Sequence, residues 1–157
     1  MTPSLDLMRK AWNRLSVLPG GKRVFDKLLG RMVPYTGSID PHVEEMRAGY
    51  SRVSLEDRRA VRNHLRSVHA IALVNLAELA ANLALIGGLP PGARMIITGI
   101  SIDYLKKARG RITAECQVDV PKTLERHEYP IPVSLRDPKG VEVARATVRS
   151  LIDAVPA

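Results

Sequence analysis

Glu78 stands in the most apolar run of the chain, RNHLRSVHAIALVNLAELAANLALIGG (62–88), together with Asn75 and Asn82. On a helix these three positions fall at i, i+3 and i+7 and share one stripe, while Ala, Leu, Val and Ile take most of the remaining surface. A carboxylate facing only its own core is costly unless paired or protonated. The stripe therefore points to a subunit seam, a pocket, or both. His69 sits just before the helix, and Asn63 lies six residues further upstream in a connecting segment. The first backbone N–H groups of the helix have no intrahelical partner, and their dipole favours negative charge, so a developing oxyanion could sit there. Glu78, partly desolvated, would have a raised pKa and could act as a base toward water or attack directly.

Each of these residues also has a plainer structural reading. Glu78 could pair with an arginine across an interface, Asn75 and Asn82 could be interface hydrogen-bonding groups, and His69 could be a helix cap. Cys116 falls on the apolar parity of a strand and reads as core. As the single cysteine it excludes an intramolecular disulfide, and no cysteine cluster suggests zinc.

The elements that must position the stripe follow from periodicity. Two amphipathic helices come first: SLDLMRKAWNRLSVL, with Leu5, Met8, Trp12 and Leu15 on one face, and GGKRVFDKLLGRMV, with Phe25, Leu28, Leu29 and Met32. LPGG separates them. VEEMRAGYSRVSL reads as one strand in which Met46, Ala48 and Tyr50 share a parity and Val53 and Leu55 take the other, implying a bulge near Ser51 and Arg52. The apolar helix follows and is closed by IGGLPPGA. Four strands complete the chain. Their inward sets are Ile96, Ile100, Ile102 and Tyr104; then Ile112, Ala114, Cys116, Val118 and Val120; then Ile131, Val133 and Leu135; and finally Ala144, Ala146 and Val148. Short connections argue an antiparallel sheet, and only the Ala70–Ile86 helix is apolar enough to cover its inner face. The expected fold is α+β, an antiparallel sheet wrapped around one long central helix, with residues 1–36 a helical extension and 37–157 the main domain.

The chain has 157 residues, 45% of them hydrophobic and 25% charged, as expected of one globular domain. Its net charge of +8 favours anionic partners: nucleic acid, an acidic membrane, or a phosphorylated ligand such as coenzyme A. The positive residues are spread along the chain rather than gathered in a reading helix or arm, and aromatics are few, so a nucleic-acid partner is not expected. The N-terminal helices could offer a basic face for peripheral membrane contact. The central run has nearly the length of a membrane span, but its Asn75, Glu78 and Asn82 make that costly. No secretory signal is visible, and a cytoplasmic location is expected.

The order Asn63, His69, Glu78, with steps of six and nine residues and ISIDYLKKARGRITAECQV after it, resembles the hotdog-fold thioesterases. The likeness is strongest to the small acyl-CoA thioesterases of the phenylacetic-acid-pathway type. The N-terminal LPGGKRVFDKLLGRMVPYTGSI resembles a hotdog family of unassigned function that carries such an extension. The resemblance implies a homo-oligomer, a dimer or dimer of dimers joined edge to edge, with active sites at the subunit interface. It makes Glu78 the catalytic carboxylate and Asn63 the residue that orients water or thioester. Ala70 takes the place of the glycine whose N–H polarises the thioester carbonyl, beside His69. The family's His-Gly-Gly is His69-Ala70-Ile71 here, so side chains stand where glycines would let an acyl group approach.

The substrate-binding set implied comprises Asn75, Asn82, Ile71 and Thr98, with Lys106, Lys107 and Arg109 offering cations to coenzyme A phosphates. Arg62 and Arg66 are comparable. The expected activity is hydrolysis of an acyl-CoA or acyl-carrier-protein thioester in lipid metabolism, with no cofactor beyond coenzyme A as part of the substrate and no metal. The alternative is a non-catalytic acyl-ligand module of the same fold. A dehydratase would place its acid farther from the histidine than nine residues.

Overall fold

The computed structural model describes residues 5–155; residues 1–4 and 156–157, the outer ends of the two expected segments, lie outside the described residues. Three helices come first, α1 (Leu5–Leu15), α2 (Gly21–Met32) and the short α3 (Pro34–Gly37). The strands β1 (His42–Arg47) and β2 (Tyr50–Leu55) precede α4 (Ala70–Ile86). Then come β3 (Ala93–Tyr104), β4 (Ile112–Gln117), β5 (His127–Arg136) and β6 (Glu142–Ala154). The six strands form one antiparallel sheet in the order β1-β2-β4-β5-β6-β3. Every strand packs against α4. No helix among the described residues is long and apolar enough to cross a membrane.

α4 is buried over 12 of its 17 residues. Ala77, Ala80, Ala81 and Ala84 are fully enclosed, and their small side chains let the sheet approach the helix backbone closely. The sheet fills the remaining space with Ile131, Val133 and Leu135 of β5, paired with Val148, Ala146 and Ala144 of β6. Two polar ties fix the helix against the sheet: the Ser51 hydroxyl donates to the Ala80 carbonyl at 2.6 Å, and the Gly49 N–H donates to the Ala84 carbonyl at 3.0 Å.

The segment expected as one bulged strand is a hairpin. Arg47 pairs with Tyr50 across a two-residue turn, Ala48-Gly49, in which Gly49 has a φ of +73°. A Cβ there would lie 2.4 Å from the Val118 carbonyl oxygen, so only glycine fits. The parity change ascribed to a bulge near Ser51 is therefore the turn itself, and the bulge of this ribbon lies between Val43 and Glu45. In β3 an irregularity between Ile97 and Gly99 switches the inward set to Met95, Ile97, Ile100 and Ile102. Ile96, expected inside, is 48% exposed for that reason. Tyr104 keeps the parity of Ile100 and Ile102 and reaches α4 through its hydroxyl, although at the strand end it is 48% exposed. β3 does not lie beside β4, its successor in the chain; it crosses to the far side of β6 and forms an outer edge.

The N-terminal helices share the same core. Trp12 and Phe25 meet edge to face with centroids 5.1 Å apart, and the Trp12 indole N–H donates to the Met46 carbonyl at 2.9 Å. Asp26, buried on the inner side of α2, accepts from the Val43 N–H at 3.0 Å and is bonded to His42 Nδ1 at 2.7 Å. Leu28, expected inside, points outward, because Phe25, Asp26 and Leu29 define the buried face of α2. Replacing Phe25 by Ala is expected to cost about 3–5 kcal/mol. In denaturant it should shift a single transition followed both by Trp12 fluorescence and by far-UV circular dichroism; two separate transitions would mean that the helices fold independently of the sheet.

Candidate active site

Five positions of α4 escape full burial: Ala70, Ile71, Val74, Glu78 and Asn82. They follow helical spacing along the side of the helix that the sheet leaves free. The helix begins at His69, whose extended backbone and Nδ1 cap it by accepting the Ile71 N–H at 3.1 Å. The Ala70 N–H has no partner among the described residues. Ile71 stands 51% exposed at this end and, with His69, Tyr35 and Asn75, borders a shallow cavity of about 250 Å³.

Asn75 is buried and donates through Nδ2 to the Tyr35 carbonyl at 3.1 Å, tying α4 to α3. Asn63 is occupied in its loop, where Oδ1 accepts the N–H groups of Leu65 and Ser67. This Asx turn shapes the approach to α4, where the His69 N–H donates to the Val61 carbonyl. Asn63 does not border the cavity that holds Glu78.

Glu78 and Asn82, one turn apart, open into a second cavity of about 210 Å³. Its other walls are apolar except for Thr36 of α3, and they come from every N-terminal element and from β3: Leu5 and Met8 of α1, Leu29 of α2, Val33 beyond it, and Met95. Glu78 makes no hydrogen bond or ion pair among the described residues, and burial raises its pKa above the ordinary value of 4.5. Asn82 Oδ1 is buried without a hydrogen-bond donor. Two oxygens on one face of α4 thus lack donors in a space whose only other polar lining residue is Thr36, an arrangement suited to a ligand carrying O–H or N–H groups, or to water.

The basic segment after β3 lies beside the start of α4. The Val68 N–H donates to the Ala108 carbonyl at 2.8 Å, and the Tyr104 hydroxyl donates to the Ala70 carbonyl at 3.0 Å. Arg109 reaches the Leu65 carbonyl at 3.5 Å, while the Lys106 and Lys107 side chains are exposed and make no ion pair among the described residues. Arg62 is paired with Asp57. Thr98 sits at the β3 irregularity, donates to Glu128, and borders neither cavity. Cys116 is buried in the core, where desolvation pushes its thiol up to about 12.

The sequence stripe is therefore split. His69, Ala70 and Ile71, with the basic segment, form one end of α4, and Glu78 with Asn82 forms a chamber roughly 12 Å farther along, eight residues at about 1.5 Å each. Sequence reasoning missed Tyr104 and Tyr35 as holders of α4, and Leu5, Met8 and Met95 as walls around the acid. Their only sequence signal was apolar periodicity, which does not tell a cavity wall from core.

Six antiparallel strands wrapped about one buried helix define a hotdog-fold protein, and solved structures share this architecture. The chain belongs to the DUF4442 family, described as a domain of unknown function, whose profile matches residues 21–152. A structural-genomics crystal structure designated APC5556 is 32% identical, with a TM-score of 0.81 over 96% of this chain and 99% of that one. A protein of unknown function from Pseudomonas aeruginosa, described as a probable thioesterase, is 22% identical over 88% of this chain and 97% of its own, with a TM-score of 0.76. A thioesterase from Haemophilus influenzae is 14% identical, covering 87% and 92% with a TM-score of 0.73. No curated protein matches the chain.

The raised pKa of Glu78 has a sign that can be checked. A carboxyl whose folded pKa lies above its unfolded value stabilises the fold fully below the unfolded pKa, and that contribution is lost as pH rises through the folded pKa. Glu78→Gln should therefore melt at a higher temperature than the parent protein at neutral pH, and the gap should narrow below pH 4.5. A gap independent of pH would mean that Glu78 is solvated or paired.

Proposed function

We propose that the protein hydrolyses a thioester of an acyl group, carried on coenzyme A or an acyl carrier protein, with Glu78 as general base or nucleophile. The observation that carries this reading is the desolvated, unpartnered Glu78 carboxylate in a largely apolar chamber. A carboxylate of raised pKa is a better proton acceptor than an ordinary one, and the apolar walls suit an acyl chain. The thioesterase descriptions of several solved structures with this fold agree with it.

One chain alone does not bring its own Ala70 N–H to Glu78, because the two lie on one rigid helix about 12 Å apart. A two-fold axis passing near Val74 would set Ala70 of one copy opposite Glu78 of the other, since an isologous contact pairs residue i with j and j with i. The thioester oxygen would then rest on the helix N-terminus of one copy while Glu78 of the second activates water. The outer edge of β3, twelve residues long with one side unpaired, suits joining of two sheets. Lys106, Lys107 and Arg109, beside the helix start, would hold the phosphates of coenzyme A.

In this scheme Glu78 takes a proton from water as the hydroxyl oxygen bonds to the acyl carbon. The tetrahedral intermediate collapses with cleavage of the C–S bond, and the proton passes to the departing thiolate. Attack by the carboxylate itself would instead give a mixed anhydride that water then opens. Asn63, bonded within its own turn, acts by shaping the segment that leads to His69.

A second reading, an acyl-binding module without catalysis, is favoured by one feature. His69 already occupies the Ile71 N–H, and the Ile71 side chain stands at the helix start, where a glycine would leave room. The two readings separate on a panel of acyl-CoA thioesters assayed for thiol release. Hydrolysis that falls about a hundredfold or more in Glu78→Gln, with an acid limb of kcat/KM lying above pH 4.5, is the expected result. Thermal stabilisation by acyl-CoA without thiol release would select the binding module, and unchanged turnover in a folded Glu78→Gln protein would remove Glu78 from the chemistry.

A further inference from the structure

The positive charge of the chain is uneven when set against the structure. Residues 1–35 hold seven Lys or Arg against two carboxylates, Asp6 and Asp26. Neither acid is free, for Asp6 is paired with Arg9, and Asp26 is turned inward to His42 and the Val43 N–H. Arg23, Lys27 and Arg31 recur at i, i+4 and i+8 along the outer side of α2. Lys27 and Arg31 make no ion pair among the described residues, and Arg23 has only Asp26 at 3.7 Å. These three cations border an open cleft of about 620 Å³ between α2 and α3, whose lining also includes Gly30, Gly37 and the carboxylates Asp26 and Asp40.

Large apolar side chains are exposed alongside the cations. Val24 and Leu28, one turn apart, form a ridge next to the basic row, with Val24 55% exposed. The turn leading into α2 presents Val17, 77% exposed, and Leu18, 56% exposed, and Tyr35 is exposed just past its C-terminal end. Val17, Leu18, Val24 and Leu28 border none of the cavities described above. A basic row beside protruding apolar side chains is the pattern of a helix that lies in the plane of a membrane interface.

We propose that the outer face of the α1–α2 hairpin docks on an anionic lipid surface. Arg23, Lys27 and Arg31 hold headgroup phosphates, and Val17, Leu18, Val24 and Leu28 enter the acyl boundary. A second copy is the poorer occupant, because face-to-face association would set each basic row against its equal with no exposed unpaired acid from α1 or α2 to relieve it. A folded acidic protein would answer the charge, yet the apolar residues stand on a convex helix face and a turn tip, a shape that a deformable lipid boundary accepts without a matching pocket. Docked this way, the opposite side of the same helices would still wall the Glu78 chamber through Leu5, Met8 and Leu29.

The test is co-sedimentation of the full-length protein with vesicles of phosphatidylcholine alone and of phosphatidylcholine mixed with phosphatidylglycerol. The protein should pellet with the mixed vesicles, less so as salt is raised, and remain in solution with the neutral ones. Arg23→Glu, Lys27→Glu and Arg31→Glu combined should weaken this binding by about a hundredfold or more, whereas Lys122→Glu with Lys139→Glu, on turns elsewhere in the fold, should weaken it by less than about tenfold. Val17→Asp with Leu18→Asp should leave only the salt-sensitive part of the binding. Circular dichroism would establish that each variant is folded. No pelleting with mixed vesicles overturns the proposal, including the case in which the surface is instead found to hold an acidic protein; so does an equal loss in the distant pair of reversals.

Discussion

Close packing of α4 against the sheet is the constraint on which the rest of the molecule depends. The helix carries alanines where the strands press on it, so six strands can curve around 17 residues without leaving a gap. This enclosure uses up most of the helix surface and leaves a single stripe, Ala70, Ile71, Val74, Glu78 and Asn82, for anything that is not core. The polar side chains of α4 lie on that stripe, apart from Asn75, which is buried and bonded to the Tyr35 carbonyl. The Ser51 and Gly49 bonds to α4 carbonyls fix its rotation about its own axis, and with it the direction in which Glu78 points.

The N-terminal helices complete the site as well as the core. α1 and α2 lie over the half of the stripe that bears Glu78 and Asn82, and α3 holds Asn75 through a carbonyl. Their inner faces remove the acid from bulk water without supplying it with a partner, which is why its pKa rises. The first 35 residues hold seven Lys or Arg against two carboxylates, a net +5 of the chain's +8. One pair of helices thus links a desolvated carboxylate on one side to a basic and apolar surface on the other.

The two ends of α4 do not meet within one copy of the chain. Within one copy a rigid helix separates the basic segment and the Ala70 N–H from Glu78 by about 12 Å. Val74, midway between them, is only partly buried, and the β3 edge of the sheet is unpaired on one side. The strand order leaves that edge open by sending β3 to the outside of the sheet rather than beside β4.

The sequence alone was sufficient for the α+β architecture, for the limits of α4, for the buried faces of β4, β5 and β6, and for Glu78 as the anomalous residue. Each of those rests on a local period or on one costly residue type in an apolar setting, and both are written in neighbouring positions. The hairpin at Ala48-Gly49, the switched face of β3 that puts Ile96 outside, and the crossing of β3 to β6 were decided by tertiary structure. A turn and a bulge both break a period of two, and the identity of a strand's partner depends on residues far along the chain. The same holds for the site. Asn63, His69 and Glu78 stand six and nine residues apart in sequence, but the fold commits Asn63 to its own turn and His69 to capping, while Leu5, Met8 and Met95 close around Glu78 from distant segments. Spacing along a chain fixes direction on a helix; only packing decides what stands opposite.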